Sequence, residues 1–187
     1  MSLNCLFNDR SRINFKGMRI IWYLLKCPEG NETDYMNRCP EIMDSGEMEE
    51  ILCFQYQRMM RYGGTWHLEK RMVLPGYVFV AGTDVSGKRK RQGSSKEKDK
   101  ISMTPCEAPY LKELCDNGSL IEISKGVIRN GAAIVTSGPL KGRESLIRRI
   151  DRHKRTAEIE IPLGTDKKRV TVGLEIYEKM TKAKDKS

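Results

Sequence analysis

The sequence predicts an α+β protein, with an N-terminal α/β part built on an antiparallel sheet and a small C-terminal β-barrel. The first observation is a β-branched and aromatic run at 18–27, which is typical of a buried strand. The second is a pair of helix-forming stretches, one between Asn31 and Leu52 and one at 109–115. The third is the series of short alternating runs after Ala132, which is typical of a small all-β barrel.

The strands can be placed from their turns. Gly63-Gly64 accepts the positive φ of a tight hairpin and separates strands predicted at 53–61 and 65–74. Pro75-Gly76 predicts a bend before a strand at 77–81, which suits an edge or a kink. In the C-terminal part the predicted strands are "AAIVT", "SLIRRI", "TAEIEI", "RVTVG" and "LEIYEK".

Composition indicates a polyanionic partner. The chain has 187 residues, 32% of them charged, and a formal net charge of +9. Such a balance favours nucleic acid, an anionic membrane surface or an acidic protein. No run approaches the roughly 18 apolar residues of a spanning helix, and the N-terminus lacks the apolar core of a signal peptide. We therefore expect a cytoplasmic protein without a membrane partner.

The sequence does not predict an enzyme, a cofactor or a metal site. The six cysteines never form a CxxC pair, and the only histidines are His67 and His153. No nucleophile with a positioned base and no phosphate-binding glycine loop is recognisable. Scattered cysteines of this kind are mostly reduced and partly buried in a cytosolic chain.

Three segments in order resemble the NusG family of bacterial transcription elongation factors: "IIWYLL", "VLPGYVFV" and "AAIVTSGPLKGRESLIRRIDRHKRTAE". The wording of the third also resembles specialised, LoaP-like antitermination paralogues. The resemblance implies an NGN-type α/β sandwich and an SH3-like KOW barrel, whose turn matches Gly138, Pro139 and Gly142. It implies an NGN-like domain (18–116) joined by a linker (117–126) to a KOW domain (127–180). Composition predicts a flexible arm (1–17), a mobile basic loop (82–100) inside the NGN-like domain and a disordered tail (181–187).

The resemblance also implies an RNA-polymerase-binding surface. Family members dock on the polymerase clamp through an apolar patch of the N-terminal domain, and the matching residues here are Trp22, Tyr23, Leu74, Pro75, Gly76 and Tyr77. Strand alternation places Tyr77 and Phe79 on one face and Val78 and Val80 on the other. Alternatively, Trp22 and the two valines are simply core residues.

Two basic groups are candidate nucleic-acid contacts. In the hairpin they are Arg58, Arg61, Lys70 and Arg71, with aromatic residues such as Tyr62 available for base stacking. In the C-terminal part they are Arg148, Arg149, Arg152, His153, Lys154 and Arg155, at the end of one predicted strand and in the turn after it. Alternatively, each group is surface charge that keeps the protein soluble and binds no nucleic acid.

The predicted function is transcription elongation or antitermination by a monomer. Its expected partners are RNA polymerase and nucleic acid, as nascent RNA or non-template DNA, with a ribosomal protein or termination factor as the alternative partner of the KOW domain. A KOW-type ribosomal RNA binder without polymerase activity is the alternative function. The chain departs from the family at 86–100, where "SGKRKRQGSSKEKDK" replaces the usual second helix.

Overall fold

A computed structural model of the chain describes residues 20–42, 48–83, 103–106, 108–116, 118–163 and 166–180. The predicted arm at 1–17, the tail at 181–187 and all of the predicted loop beyond Thr83 lie outside these residues. The described α-helices are α1 (Glu32–Ile42) and α2 (Ala108–Leu114), and a 3-10 helix spans Glu144–Leu146. The strands are β1 (Ile21–Lys26), β2 (Met48–Leu52), β3 (Gln55–Tyr62), β4 (Thr65–Met72), β5 (Tyr77–Gly82), β6 (Met103–Pro105), β7 (Leu120–Ile121), β8 (Ser124–Arg129), β9 (Ala132–Ser137), β10 (Ile147–Asp151), β11 (Thr156–Leu163) and β12 (Asp166–Met180).

The first sheet has the strand order β2-β5-β1-β6, and its central strands β1 and β5 are antiparallel. Because neighbouring side chains of a strand point to opposite faces, Tyr23 and Leu25 share one face with Val78 and Val80. Helix α1 covers this face through Cys39. The alternation predicted for β5 is confirmed, but β5 lies inside the sheet and not at its edge.

The opposite face of this sheet joins a larger core. Trp22, Leu24 and Phe79 pack there with Leu111 of α2. The ring of Phe54 meets that of Phe79 edge to face, with centroids 4.8 Å apart. Both faces of the β1–β5 pair are therefore buried, which explains why these strands are apolar at nearly every position.

The hairpin of β3 and β4 forms a second sheet with the short strand β7. Its turn has φ values of +57° at Gly63 and +79° at Gly64, as the sequence predicts. Tyr62 pairs with Thr65 at the turn, and Gln55 pairs with Met72 at the other end. The predicted hairpin is confirmed.

The C-terminal part forms a five-stranded sheet in the order β10-β11-β12-β8-β9. Alternate residues of β11 and β12 are fully buried, among them Ile159, Ile161, Val172 and Leu174. They belong to the same core as Phe79 and Leu111, so one apolar core continues from the first sheet into the third. Each such aliphatic side chain contributes about 1.5–3 kcal/mol to folding.

The predicted fold class is wrong. The described part of the chain is mostly β, with three sheets, only two α-helices and no closed barrel. Strands β9 and β10 form the two edges of the five-stranded sheet and do not pair with each other there. Periodicity identifies strands, but whether a sheet closes depends on pairings between residues far apart in sequence.

Two local expectations also fail. The helix near Asn31 exists, but it ends at Ile42, and the apolar residues from Met48 to Leu52 on which it was partly based form β2. The predicted strands "RVTVG" and "LEIYEK" are one continuous strand, β12. Gly173, where the two predicted strands meet, lies inside β12. A Cβ there would lie 2.2 Å from the backbone oxygen of Gln57, so a residue without a side chain is needed. It permits close approach of β12 to β3.

A buried carboxylate fixes the bend before β5. Glu32 lies in the first turn of α1 and is buried, and its Oε1 accepts a hydrogen bond from the backbone N–H of Gly76 (2.7 Å). Burial alone raises the pKa of Glu32, but backbone hydrogen bonds from Gly76, Glu32 itself and Gly30 outweigh it and hold the pKa below its ordinary value. The carboxylate form is therefore the one that the fold stabilises.

We expect Glu32→Gln to lower the free energy of unfolding at neutral pH by about 1–3 kcal/mol, since the charge-assisted bond is lost. Because the folded pKa is depressed, the Glu32 contribution is complete above the ordinary glutamate pKa and disappears as the pH falls through the folded value. The variant should therefore lose less stability on acidification below about pH 4.5 than the parent. Urea unfolding at neutral pH and below about pH 4.5 measures both effects. Glu49→Gln is the control, because Glu49 is exposed. Parallel profiles of stability against pH for Glu32→Gln and the parent would contradict the role given to Glu32.

Candidate nucleic-acid interface

The predicted polymerase-binding residues are mostly inside the protein. Trp22, Tyr23 and Leu74 are buried side chains, and Gly76 is buried as well. Pro75 is exposed and Tyr77 is half-buried. Of the six, only these last two present side-chain surface to a partner in this conformation.

Two lysines lie over the aromatic rings of this group. The Nζ of Lys168, from β12, lies 4.5 Å from the centre of the Tyr77 ring. The Nζ of Lys112, from α2, lies 5.4 Å from the centre of the Trp22 ring and 2.7 Å from Oε1 of Glu50. The C-terminal sheet thus reaches the residue that the family resemblance singles out most clearly.

Strand register divides the hairpin cations between its two faces. Residues directly opposite each other in an antiparallel pair point to the same face. Arg61 pairs with Trp66, Met59 pairs with Leu68 two positions further on, and Gln57 pairs with Lys70 two positions beyond that. Arg61, Trp66, Leu68 and Lys70 therefore share one side, which we call the Trp66 face.

The other side of the hairpin carries Arg58 and Arg71, both of which meet the carboxylate of Glu69. Arg71 Nη2 lies 3.0 Å from Oε2 of Glu69, and Arg58 Nη2 lies 3.8 Å from the same atom. On this side Tyr62 stacks on His67, with ring centres 3.7 Å apart. Ion pairing at Glu69 leaves Arg58 and Arg71 less suited to bind phosphate than Arg61 and Lys70.

The basic turn, residues 152–155, connects β10 to β11. The backbone N–H of Lys154 donates to Oδ1 of Asp151 (2.9 Å), which closes the turn. This bond lowers the pKa of Asp151, as do the nearby charges of Lys154 and His153. Asp151 is therefore ionised at neutral pH and offsets part of the positive charge.

Arg155 ends the basic turn and is held in place on three sides. It has a left-handed backbone (φ 51°), and its carbonyl oxygen accepts a hydrogen bond from the N–H of Leu174 (3.0 Å). Its guanidinium carbon lies 3.7 Å from the centre of the Trp66 ring, and Nη1 lies 2.6 Å from Oε1 of Glu175. The Arg155 side chain thus connects the hairpin to the C-terminal sheet.

The basic turn and Trp66 border an open cleft of about 630 Å³. We call it the Trp66 cleft; its lining residues are Trp66, Arg149, Ile150, Asp151, Arg152, His153, Arg155 and Ile176. Its size is within the range of ligand sites, and its wall combines an indole with three guanidinium groups. The structure therefore brings Trp66 of the hairpin together with four residues of the second predicted basic group, whereas none of the four predicted hairpin cations lines the cleft.

The remaining predicted cations differ in how closely a carboxylate already pairs with them. Arg148 Nη2 lies 3.3 Å from Oε1 of Glu160, and the looser pairs Arg149–Glu158 and Lys154–Asp151 measure 3.8 and 3.9 Å. Arg152 is exposed and has no ion-pair partner among the residues that the structure describes. It is the member of the basic turn best placed to meet an anionic ligand.

The predicted KOW turn has a scaffolding role here. Gly138 has φ +91°, and a Cβ there would lie 2.7 Å from the Cα of Ser124. The hydroxyl of Ser124 accepts a hydrogen bond from the N–H of Leu140 (3.1 Å), the residue after Pro139. Gly142, with φ +75°, completes the turn, and none of the three glycine and proline residues lines the Trp66 cleft.

Sequence reasoning missed Trp66 and Ile176 as parts of the site. Trp66 had a detectable signal, because it stands opposite Arg61 across the Gly63-Gly64 turn and so shares its face. No signal in the sequence identified Ile176. It reaches the cleft because β12 is one continuous strand that packs on β3.

The buried cysteines Cys39, Cys53 and Cys115 are not candidates for reactive thiols. Burial raises the pKa of Cys39 to about 11 and those of Cys53 and Cys115 to about 12. Thiols of this kind are inert, because the thiolate is the reactive form. Within the described ranges no cluster of His, Cys, Asp and Glu is arranged to hold a metal ion.

Comparison with known proteins adds no family to this picture. No protein-family model matches the chain, and no curated protein matches its sequence. None of the helices in the described segments is both long and apolar enough to cross a membrane.

Proposed function

We propose that this chain is a cytoplasmic transcription elongation or antitermination factor of the NusG type, which binds RNA polymerase and nucleic acid. The observation that carries the nucleic-acid part is the Trp66 cleft, where an exposed indole meets Arg149, Arg152 and Arg155. Aromatic platforms beside guanidinium groups suit nucleic acid, since bases stack on the ring and phosphates pair with the cations. The net charge of +9 supports the same partner.

The polymerase part rests on the ordered match of "IIWYLL", "VLPGYVFV" and "SGPLKG" to NusG-type factors. Such a factor acts as a monomer by binding and population shift, without catalysis: it favours one state of the polymerase over the paused state. Pro75 and Tyr77 are the residues of the matched group whose side chains are accessible for this contact.

An elongation assay with purified bacterial polymerase tests the proposal. We expect the chain to shorten pauses, and we expect Tyr77→Ala to weaken polymerase binding by about tenfold, as loss of an interface aromatic does. Tyr177→Ala is the matched control, because Tyr177 is an exposed tyrosine of the C-terminal sheet. The Tyr77 substitution also removes the contact with Lys168 and the packing of the half-buried ring against the core, so it lowers stability as well, and both variants are compared by thermal unfolding.

The alternative is a ribosomal RNA binder without polymerase activity. An unchanged pause pattern at saturating protein, together with tight binding to ribosomal RNA, would favour that alternative and overturn the proposal. Equal polymerase binding by the parent and Tyr77→Ala would leave the factor class intact and move the interface away from Tyr77.

A further inference from the structure

We propose that the Trp66 cleft binds unpaired nucleotides, with one base stacked on the indole of Trp66 and a neighbouring phosphate on Arg152. The proposal rests on the nucleic-acid binding proposed above and names its ligand class. It distinguishes single strands, loops and bulges from a regular duplex.

Contacts with Arg155 fix the orientation of the Trp66 indole before a ligand binds. The Arg155 guanidinium carbon lies 3.7 Å from the centre of the Trp66 ring and so stacks on one face of the indole, and the 37% of Trp66 that remains exposed is the surface left for a base. Arg155 is itself fixed by Glu175 and by the N–H of Leu174. A ligand therefore meets a ring whose orientation is already set, and little side-chain freedom is lost on binding.

The shape of the site favours unpaired bases. The cleft is a recess of about 630 Å³ between the tip of one hairpin and one turn of the C-terminal sheet. In a duplex the base faces are already stacked on one another, and only backbone and groove edges are accessible. An unstacked base can enter the recess and present its face to the indole.

Charge around the ring suits the backbone of the same strand. Arg152 is exposed on one side of the cleft, and Arg61 extends from the Trp66 face beside the indole. Arg149 and Lys154 have only long ion pairs, of 3.8 and 3.9 Å, which phosphate oxygens can replace. Cations on both sides of an aromatic platform fit a chain that alternates base and phosphate.

Binding of labelled oligonucleotides, followed by fluorescence anisotropy, tests the inference. The probes are a uridine-rich RNA strand of about ten nucleotides, its DNA counterpart, and a duplex of equal length. We expect the full chain to prefer both single strands to the duplex. Trp66→Ala should weaken single-strand binding by about tenfold, and Trp66→Phe should recover most of it because a ring is restored.

Leu68→Ala is the matched control, since Leu68 is an exposed apolar residue on the Trp66 face that does not line the cleft. Intrinsic fluorescence gives a second readout. The chain has two tryptophans, and Trp22 is buried, so quenching by the single strand reports on Trp66 and should disappear in Trp66→Phe.

The outcomes separate this inference from the function on which it rests. Unchanged single-strand affinity in Trp66→Ala, or equal affinity of the parent for duplex and single strand, overturns the inference and leaves nucleic-acid binding in place. No binding of the parent to any probe overturns the nucleic-acid part of the proposed function as well.

Discussion

Replacing Gly173 by alanine is expected to destabilise the protein by at least about 3 kcal/mol, a large effect for one added methyl group. The new Cβ would lie 2.2 Å from the backbone oxygen of Gln57 and 3.0 Å from the side chain of Ile123. A side chain can rotate away from such a contact, but a backbone oxygen within β3 cannot. Strand β12 must therefore move off the hairpin.

This displacement has a consequence for the site as well as for stability. The hairpin supplies Trp66, and the C-terminal sheet supplies Arg152 and Arg155, so the Trp66 cleft exists only while β12 lies on β3. We expect Gly173→Ala to weaken single-strand binding together with stability. Thermal unfolding should show a decrease in Tm of roughly 6–12 °C for a chain of this length.

Gly118→Ala is the matched control. Neither glycine has a left-handed backbone, but a Cβ at Gly118 would lie 3.2 Å from its nearest neighbour, the carbonyl oxygen of Cys115. A shift of a few tenths of an ångström relieves that contact, so its effect should be much smaller. Equal stability of Gly173→Ala and the parent would show that β12 and β3 do not pack together in solution.

The sequence predicted the strands well because their signals are local. The β-branched and aromatic run gave β1, and the Gly63-Gly64 pair gave the β3–β4 hairpin with its turn. Gly173 shows the limit of such reasoning. In the sequence it is the last residue of the predicted strand "RVTVG", whereas its role depends on Gln57, more than a hundred positions away.

The residue types of the candidate site could be predicted from the sequence, but the contacts between its residues could not. The basic turn was found from its charge density, yet no pattern in the sequence shows that Arg155 lies on Trp66 or that Glu69 serves both Arg58 and Arg71. The same holds for the matched polymerase group. An apolar strand buried on both faces and one with an exposed aromatic patch have similar sequences, and only the placement of α2 shows that Trp22 is covered.

Reversing two charges of the basic turn, Arg152→Glu with Lys154→Glu, is expected to weaken nucleic-acid binding by at least about tenfold at moderate salt. Each phosphate contact that is lost lowers the slope of log K against log[salt] by about 0.7–0.9, so the double variant should reduce it by about 1.5. Stability should hardly change, because both side chains are exposed and the 3.9 Å pair of Lys154 with Asp151 is weak. Titrations at several salt concentrations measure both quantities.

Arg129→Glu with Lys141→Glu makes the same change in net charge at exposed positions outside the cleft. A general effect of charge would weaken binding equally in both double variants, and a local one only in the first. Arg155 is unsuited to this comparison. Its guanidinium contacts both Trp66 and Glu175, so Arg155→Glu disturbs the hairpin contact and loses binding for structural reasons as well. Unchanged salt dependence in the Arg152 and Lys154 variant would mean that the basic turn is surface charge, with the nucleic-acid contact elsewhere.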